Sequence, residues 1–154
     1  MMFTNNWKFK KWQQEMQDSI YNSDSSLRAY MNLEIYPEDI EIFLNVLTPK
    51  IFEIGDRVFF DIDGEQEAII TENYSKNDPL DRSDSERQKD WNSTNVAEIF
   101  FNNMDNSSNE TIMNIANLIK SNWEYYLLNK YPDTKFTVEI YGESFEPWIT
   151  FYQP

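Results

Sequence analysis

One apolar stripe restricts the fold of this chain more than any other feature. Ile112, Ile115, Ala116, Ile119, Trp123 and Leu127 recur at helical spacing, which predicts a helix opened by Ser108 or Asn109 and running to about Lys130. Pro132 stops it. A helix of this length with one apolar face must be covered by something broad. The next segment supplies a cover, because Phe136, Val138 and Ile140 alternate with polar residues. A turn at Gly142-Glu143-Ser144 follows, and Trp148–Tyr152 returns as a second strand.

The remaining chain is read by the same rules. Asn5 or Asn6 caps a first helix carrying Trp7, Trp12, Met16 and Ile20, with Phe9 beside that face. After a polar break at 21–26, Leu27, Ala29, Met31, Leu33 and Ile35 alternate with Arg28, Tyr30, Asn32, Glu34 and Tyr36. That period of two predicts a strand with one covered face and Tyr30 and Tyr36 on the other. Pro37 and the acids Glu38, Asp39 and Glu41 open a helix with Ile40, Phe43, Leu44 and Leu47 as its inner stripe, ended by Pro49. Gly55-Asp56 is a turn, and Arg57–Ile62 and Glu67–Thr71 read as a hairpin around Asp63-Gly64. Residues 73–94 form a long polar surface loop, with at most a helical turn at Ser83–Trp91, and are expected to be the most mobile segment. Val96–Met104 reads as a helix capped by Ser93 or Thr94, or as a strand. The expectation is one α+β domain over 1–154, with a single antiparallel sheet of about five hairpin-connected strands. Helices pack mainly on one face of that sheet, through Phe43, Leu47, Ile115, Ile119 and Trp123.

Composition narrows the chemistry. The chain has neither cysteine nor histidine. Thiolate nucleophiles, Ser-His-Asp relays, imidazole ligands and Cys-based zinc sites are therefore excluded. Asp and Glu outnumber Lys and Arg 27 to 13, a net charge of −14, the reverse of what phosphate neutralisation requires, so direct nucleic-acid binding is not expected. Lys8, Lys10 and Lys11 cluster beside Trp7, Phe9 and Trp12, too few bases to offset the rest of the chain. No apolar run reaches the ~18–20 residues of a membrane span, and the N-terminus lacks a signal-peptide pattern. Abundant Asn, Ile, Tyr and Phe suggest A/T-rich codons and a bacterial or phage cytoplasmic protein. Such a codon bias raises lysine too, yet residues 34–72 hold eleven acids against Lys50 and Arg57.

Candidate chemistry is sparse. Asp61-Ile62-Asp63-Gly64-Glu65-Gln66-Glu67 resembles half of a calcium loop, but its glycine is misplaced for an EF-hand and its flanks read as strands. The plainer reading is a turn with solvated acids, and neither metal nor cofactor is expected. Glu139 with Glu143 or Glu146, beside Trp148 and Tyr152 as stacking surfaces, is the carboxylate pair for glycoside chemistry. Gly55, Gly64 and Gly142 are too far apart for a phosphate loop. Tyrosines beside carboxylates, in contrast, make a surface for a cationic protein.

In its single short α+β domain, the acidity of Glu34–Glu72, the aromatic ending Glu146-Pro147-Trp148-Ile149-Thr150-Phe151-Tyr152-Gln153 and its lack of a catalytic set, the chain resembles the immunity proteins that accompany bacterial polymorphic and contact-dependent toxins. The resemblance implies a non-enzymatic inhibitor that binds a cognate toxin domain, often a basic nuclease. The expected contact residues are Glu38, Asp39, Glu41, Asp61, Asp63, Glu65, Glu67, Tyr30 and Tyr36, with Trp148 and Tyr152 as the alternative patch. Two other classes stand beside it: a phage DNA mimic that occupies a DNA-binding enzyme, and a carbohydrate-active enzyme or binding module. The partner's activity and the oligomeric state are left open by the sequence.

Overall fold

The computed structural model describes residues 6–18, 24–100 and 107–154. Its elements run α1 (Trp7–Gln17), α2 (Leu27–Glu34), α3 (Pro37–Leu47), β1 (Lys50–Ile54), β2 (Arg57–Asp61), α4 (Gln66–Tyr74), α5 (Asp84–Trp91), β3 (Thr94–Asn95), α6 (Asn109–Lys130), β4 (Thr137–Glu143) and β5 (Glu146–Tyr152). The class is α+β with antiparallel pairing, but the expected single sheet is two: β1-β2, and a three-stranded sheet in the order β3-β5-β4.

The α6 stripe is the spine of the core. Ser108 caps the helix by accepting from Thr111 N–H at 3.1 Å. Ile112, Ala116, Ile119, Trp123 and Leu127 are all buried. They meet Val58 and Phe60 from β2, Val138 from β4, and Ile149 and Phe151 from β5. One helix thus covers a face of both sheets. Trp123 stands edge-on to Phe60 at 5.0 Å and donates its indole N–H to the Val46 carbonyl at 2.7 Å, tying α3 to the same core. Phe43, Leu47 and Ile115 pack around its margin.

A polar seam divides the sheets. In the β1-β2 hairpin the outward backbone groups of β2 belong to Val58 and Phe60. Val58 N–H donates to Gln153 Oε1 at 2.9 Å, and Phe60 N–H to Asn92 Oδ1 at 3.1 Å. The Val58 carbonyl accepts from Gln88 Nε2 and Asn92 Nδ2, and Asn92 also donates to the Phe151 carbonyl. Three amide side chains therefore occupy the place where β2 and β5 would have paired. Gln88 and Asn92 lie one turn apart on α5 and its cap, and both are buried. On the three-stranded sheet α5 covers the face opposite α6, where Thr150 Oγ1 donates to the Lys89 carbonyl at 2.6 Å.

Two expected strands are helices. Leu27–Ile35 alternates, but its first eight residues include no β-branched side chain. Helix formers Leu, Arg, Ala, Met and Glu dominate, and Ser26 caps Ala29 N–H at 3.2 Å. Glu67–Thr71 falls within α4, because its expected partner, β2, is already paired with β1 across Gly55-Asp56. The loop expected over 73–94 contains α5, opened by a capping box between Ser83 and Glu86. It is tied down further by Arg82 bridging Asp78 and Asp90, and by Arg87 over the Tyr74 ring at 4.4 Å. Glu98–Phe100 forms a short 3₁₀ turn. Ile20 and residues 101–104 of the two segments read above lie outside the described residues.

Candidate protein-binding surface

The α2–α3 corner carries the largest run of exposed apolar side chains. Ser26 starts α2, Pro37 occupies the first position of α3, and Glu38 and Asp39 sit at its positive end. Only Phe43, Val46 and Leu47 of α3 turn into the core. Every residue from Met31 to Ile42 is exposed, and Ile42, Tyr36 and Leu33 reach 69%, 66% and 59% of full accessibility. Isolated exposed apolar residues are ordinary, but six of them, Met31, Leu33, Tyr36, Ile40, Ile42 and Leu44, within fourteen residues are an unusual concentration of the kind that marks interaction surfaces. Glu34, Glu38, Asp39 and Glu41 are interleaved with them, and residues 31–44 contain no base. The corner thus offers exposed apolar side chains together with charge of one sign.

The other expected contact residues divide. Tyr36, Glu38, Asp39 and Glu41 belong to this corner and are exposed. Tyr30 does not share that exposure. It is 8% accessible and packs edge-on against Phe9 and Trp12, each at 5.3 Å, fastening α1 to α2. Burial and then Glu34 raise its hydroxyl above the usual tyrosine range.

Asp61 is the clearest departure from a solvated acid. It is 3% accessible, and its Oδ1 accepts from Gly64 N–H at 2.8 Å and Gln66 N–H at 3.1 Å. Burial pushes its carboxyl upward, but the backbone N–H groups of Gln66, Glu67 and Gly64 outweigh that and hold it below the usual aspartate range. Asp61 therefore shapes the loop that starts α4. Asp63 and Glu65 on that loop are exposed, while Glu67 pairs with Lys50. Among the described residues, no group of three or more Asp or Glu side chains is placed to hold a metal ion.

The C-terminal hairpin uses its polar groups internally. Glu139 pairs with Lys89, whose ammonium lies 5.3 Å from the Tyr141 ring and 5.6 Å from the Tyr152 ring. Glu146 accepts from Asn95 Nδ2 at 2.9 Å, and Trp148 stacks on Tyr141 at 6.3 Å. Trp148 and Tyr152 are half-buried on the α5 side of the sheet.

Sequence reasoning missed Met31, Leu33, Ile40 and Ile42, because it placed the first two on a covered strand face and Ile40 on the inner stripe. One signal was present. Six apolar residues among the eight of Ile40–Leu47 span more of a helix surface than one neighbour covers. Among the described residues, no helix is long and apolar enough to cross a membrane. No protein-family model, curated protein or solved structure matches the chain.

Proposed function

We propose that this protein is an immunity-type inhibitor of the bacterial cytoplasm, binding a basic toxin domain one to one and acting without catalysis. The observation that carries this reading is the unbroken exposure of residues 31–42, in which apolar side chains are interleaved with four acids and no base. Apolar anchors such as Leu33 and Ile42 supply desolvated contact area, while Glu34, Glu38, Asp39 and Glu41 steer a cationic partner and reject anionic ones. The acids act chiefly on the association rate, and the apolar side chains on dissociation.

The test is binding to the product of the adjacent gene, followed by surface-immobilised kinetics. Replacing Glu38, Asp39 and Glu41 with lysine slows association about tenfold at low salt, and physiological salt slows the wild type in the same direction. Leu33→Ser with Ile42→Ser speeds dissociation by a comparable factor. A tight complex indifferent to salt and to both sets of substitutions overturns the reading, as does a neighbouring product that the protein neither binds nor neutralises.

A further inference from the structure

The outer edge of β4 borders a groove, and the strand stays paired with β5 up to the turn, where Gly142 takes a left-handed φ of +83°. Gly142 stands opposite Pro147, which has no N–H and whose carbonyl accepts from Val96 N–H at 2.9 Å on the other side. Gly142 and Pro147 are therefore a non-hydrogen-bonded pair. By the alternation of an antiparallel ladder, Val138 and Ile140 then direct both backbone groups away from β5, and Gly142 directs its N–H outward. Among the described residues, no side chain or loop backbone bonds to these groups. The β2 edge, by contrast, is sealed by Gln88, Asn92 and Gln153.

Sheet edges are usually shortened, bulged or interrupted by proline. β4 runs seven residues in unbroken register and holds no proline. Beside it lie two hollows that meet at Val138. One, of about 490 Å³, lies between Ile140 and Met113, Asn117 and Lys120 of α6. The other, of about 200 Å³, lies between Phe136 and Leu127 and Leu128 of α6.

We infer that β4 accepts an extended peptide segment as a further strand, with apolar and basic residues in alternation. The backbone groups require an extended chain. Its side chains on the α6 side meet Val138, Ile140, Met113 and Leu128 at the floor of the groove, with Asn117 and the Lys120–Glu124 pair at its α6 wall, which selects uncharged apolar residues. Those on the opposite side run beside Tyr141 and Glu139, which Lys89 already engages, and beside the exposed Glu143, which selects Lys or Arg at the position next to it. A second copy is the poorer occupant. It would bring Glu143 of both copies to one face and join two chains of charge −14.

The inference stands apart from the α2–α3 surface and needs no toxin. Its test is amide exchange by NMR on the full chain, with an acetylated heptapeptide of alternating lysine and valine at low salt. Exchange slows about tenfold at Val138, Ile140 and Gly142 and is unchanged at Glu139 and Tyr141, whose amides already bond to β5. N-methylation of one alternate set of peptide residues, lysines or valines, abolishes the effect, and of the other leaves it. Asn117→Trp, on the exposed α6 surface, fills the groove and weakens binding while the spectrum stays native. Ile140→Pro removes the central outward donor. No slowing at saturating peptide, slowing that survives both N-methylated series, or concentration-dependent slowing without peptide, which would mean self-pairing, overturns the inference.

Discussion

α6 and the α2–α3 corner hold similar apolar side chains and treat them oppositely. α6 buries Ile112, Ile119, Trp123 and Leu127 against the faces of both sheets. The corner leaves Met31, Leu33, Ile40 and Ile42 in solvent. The difference lies in what each helix is offered. α6 faces both sheets, whereas α3 turns only Phe43, Val46 and Leu47 into the core and α2 rests on α1 through Tyr30. Apolar periodicity shows that a face exists, and the neighbours decide whether it is covered.

The largest effect that sharpens this contrast is at Trp123. Truncation to Ala removes a fully buried indole and the bond to Val46, and costs about 3–5 kcal/mol in chemical denaturation. A change below about 1 kcal/mol would show that α6 is not the spine of the core. Next is the amide seam. Gln88→Ala leaves Gln153 N–H and a share of the Val58 carbonyl without a partner, and Asn92→Ala orphans Phe60 N–H. Each costs about 1–3 kcal/mol, read from thermal and urea unfolding.

A third outcome concerns acid. The folded state holds Asp61 below its ordinary value. Its contribution is therefore present above the normal aspartate range, about pH 4, and is lost as the pH falls through that range toward the lowered folded value. Asp61→Asn should be less stable at neutral pH and show a shallower decline on acidification. Equal pH slopes in urea titrations of the two proteins would refute that role. The smallest effect is expected at the corner, where Ile42→Ser should change stability by no more than about 0.5 kcal/mol. A larger loss would mean that the exposed apolar residues support the fold, and the contrast with α6 would fail.

Legibility from sequence follows the same division. The α6 stripe, the 137–152 hairpin and the Pro37 start of α3 were readable, because period, cap and turn all agreed. At Leu27–Glu34 they disagreed: the period favoured a strand, while Ser26 and the helix-forming composition favoured a helix, and the latter prevailed. β1 went unread beside Pro49 and Gly55. α5 carries its purpose in Gln88 and Asn92, polar residues that an apolar pattern cannot register, although Ser83-x-x-Glu86 marked its start. Of the candidate site, the acids Glu38, Asp39 and Glu41 were visible and their apolar companions were not.

The sequence by itself determined the α+β class, the acidic surface, the exclusion of histidine and cysteine chemistry, and the helix about which the core is built. These follow from composition and from patterns within one element. Only the tertiary structure decided that Asp61 turns inward, that amides split the sheet, that residues 31–42 are left in solvent and that, among the described residues, nothing bonds to the outer edge of β4. Each of these depends on which distant group arrives to satisfy a hydrogen bond or cover a surface. Gln153 meets Val58 across 95 residues, and no local pattern encodes that meeting.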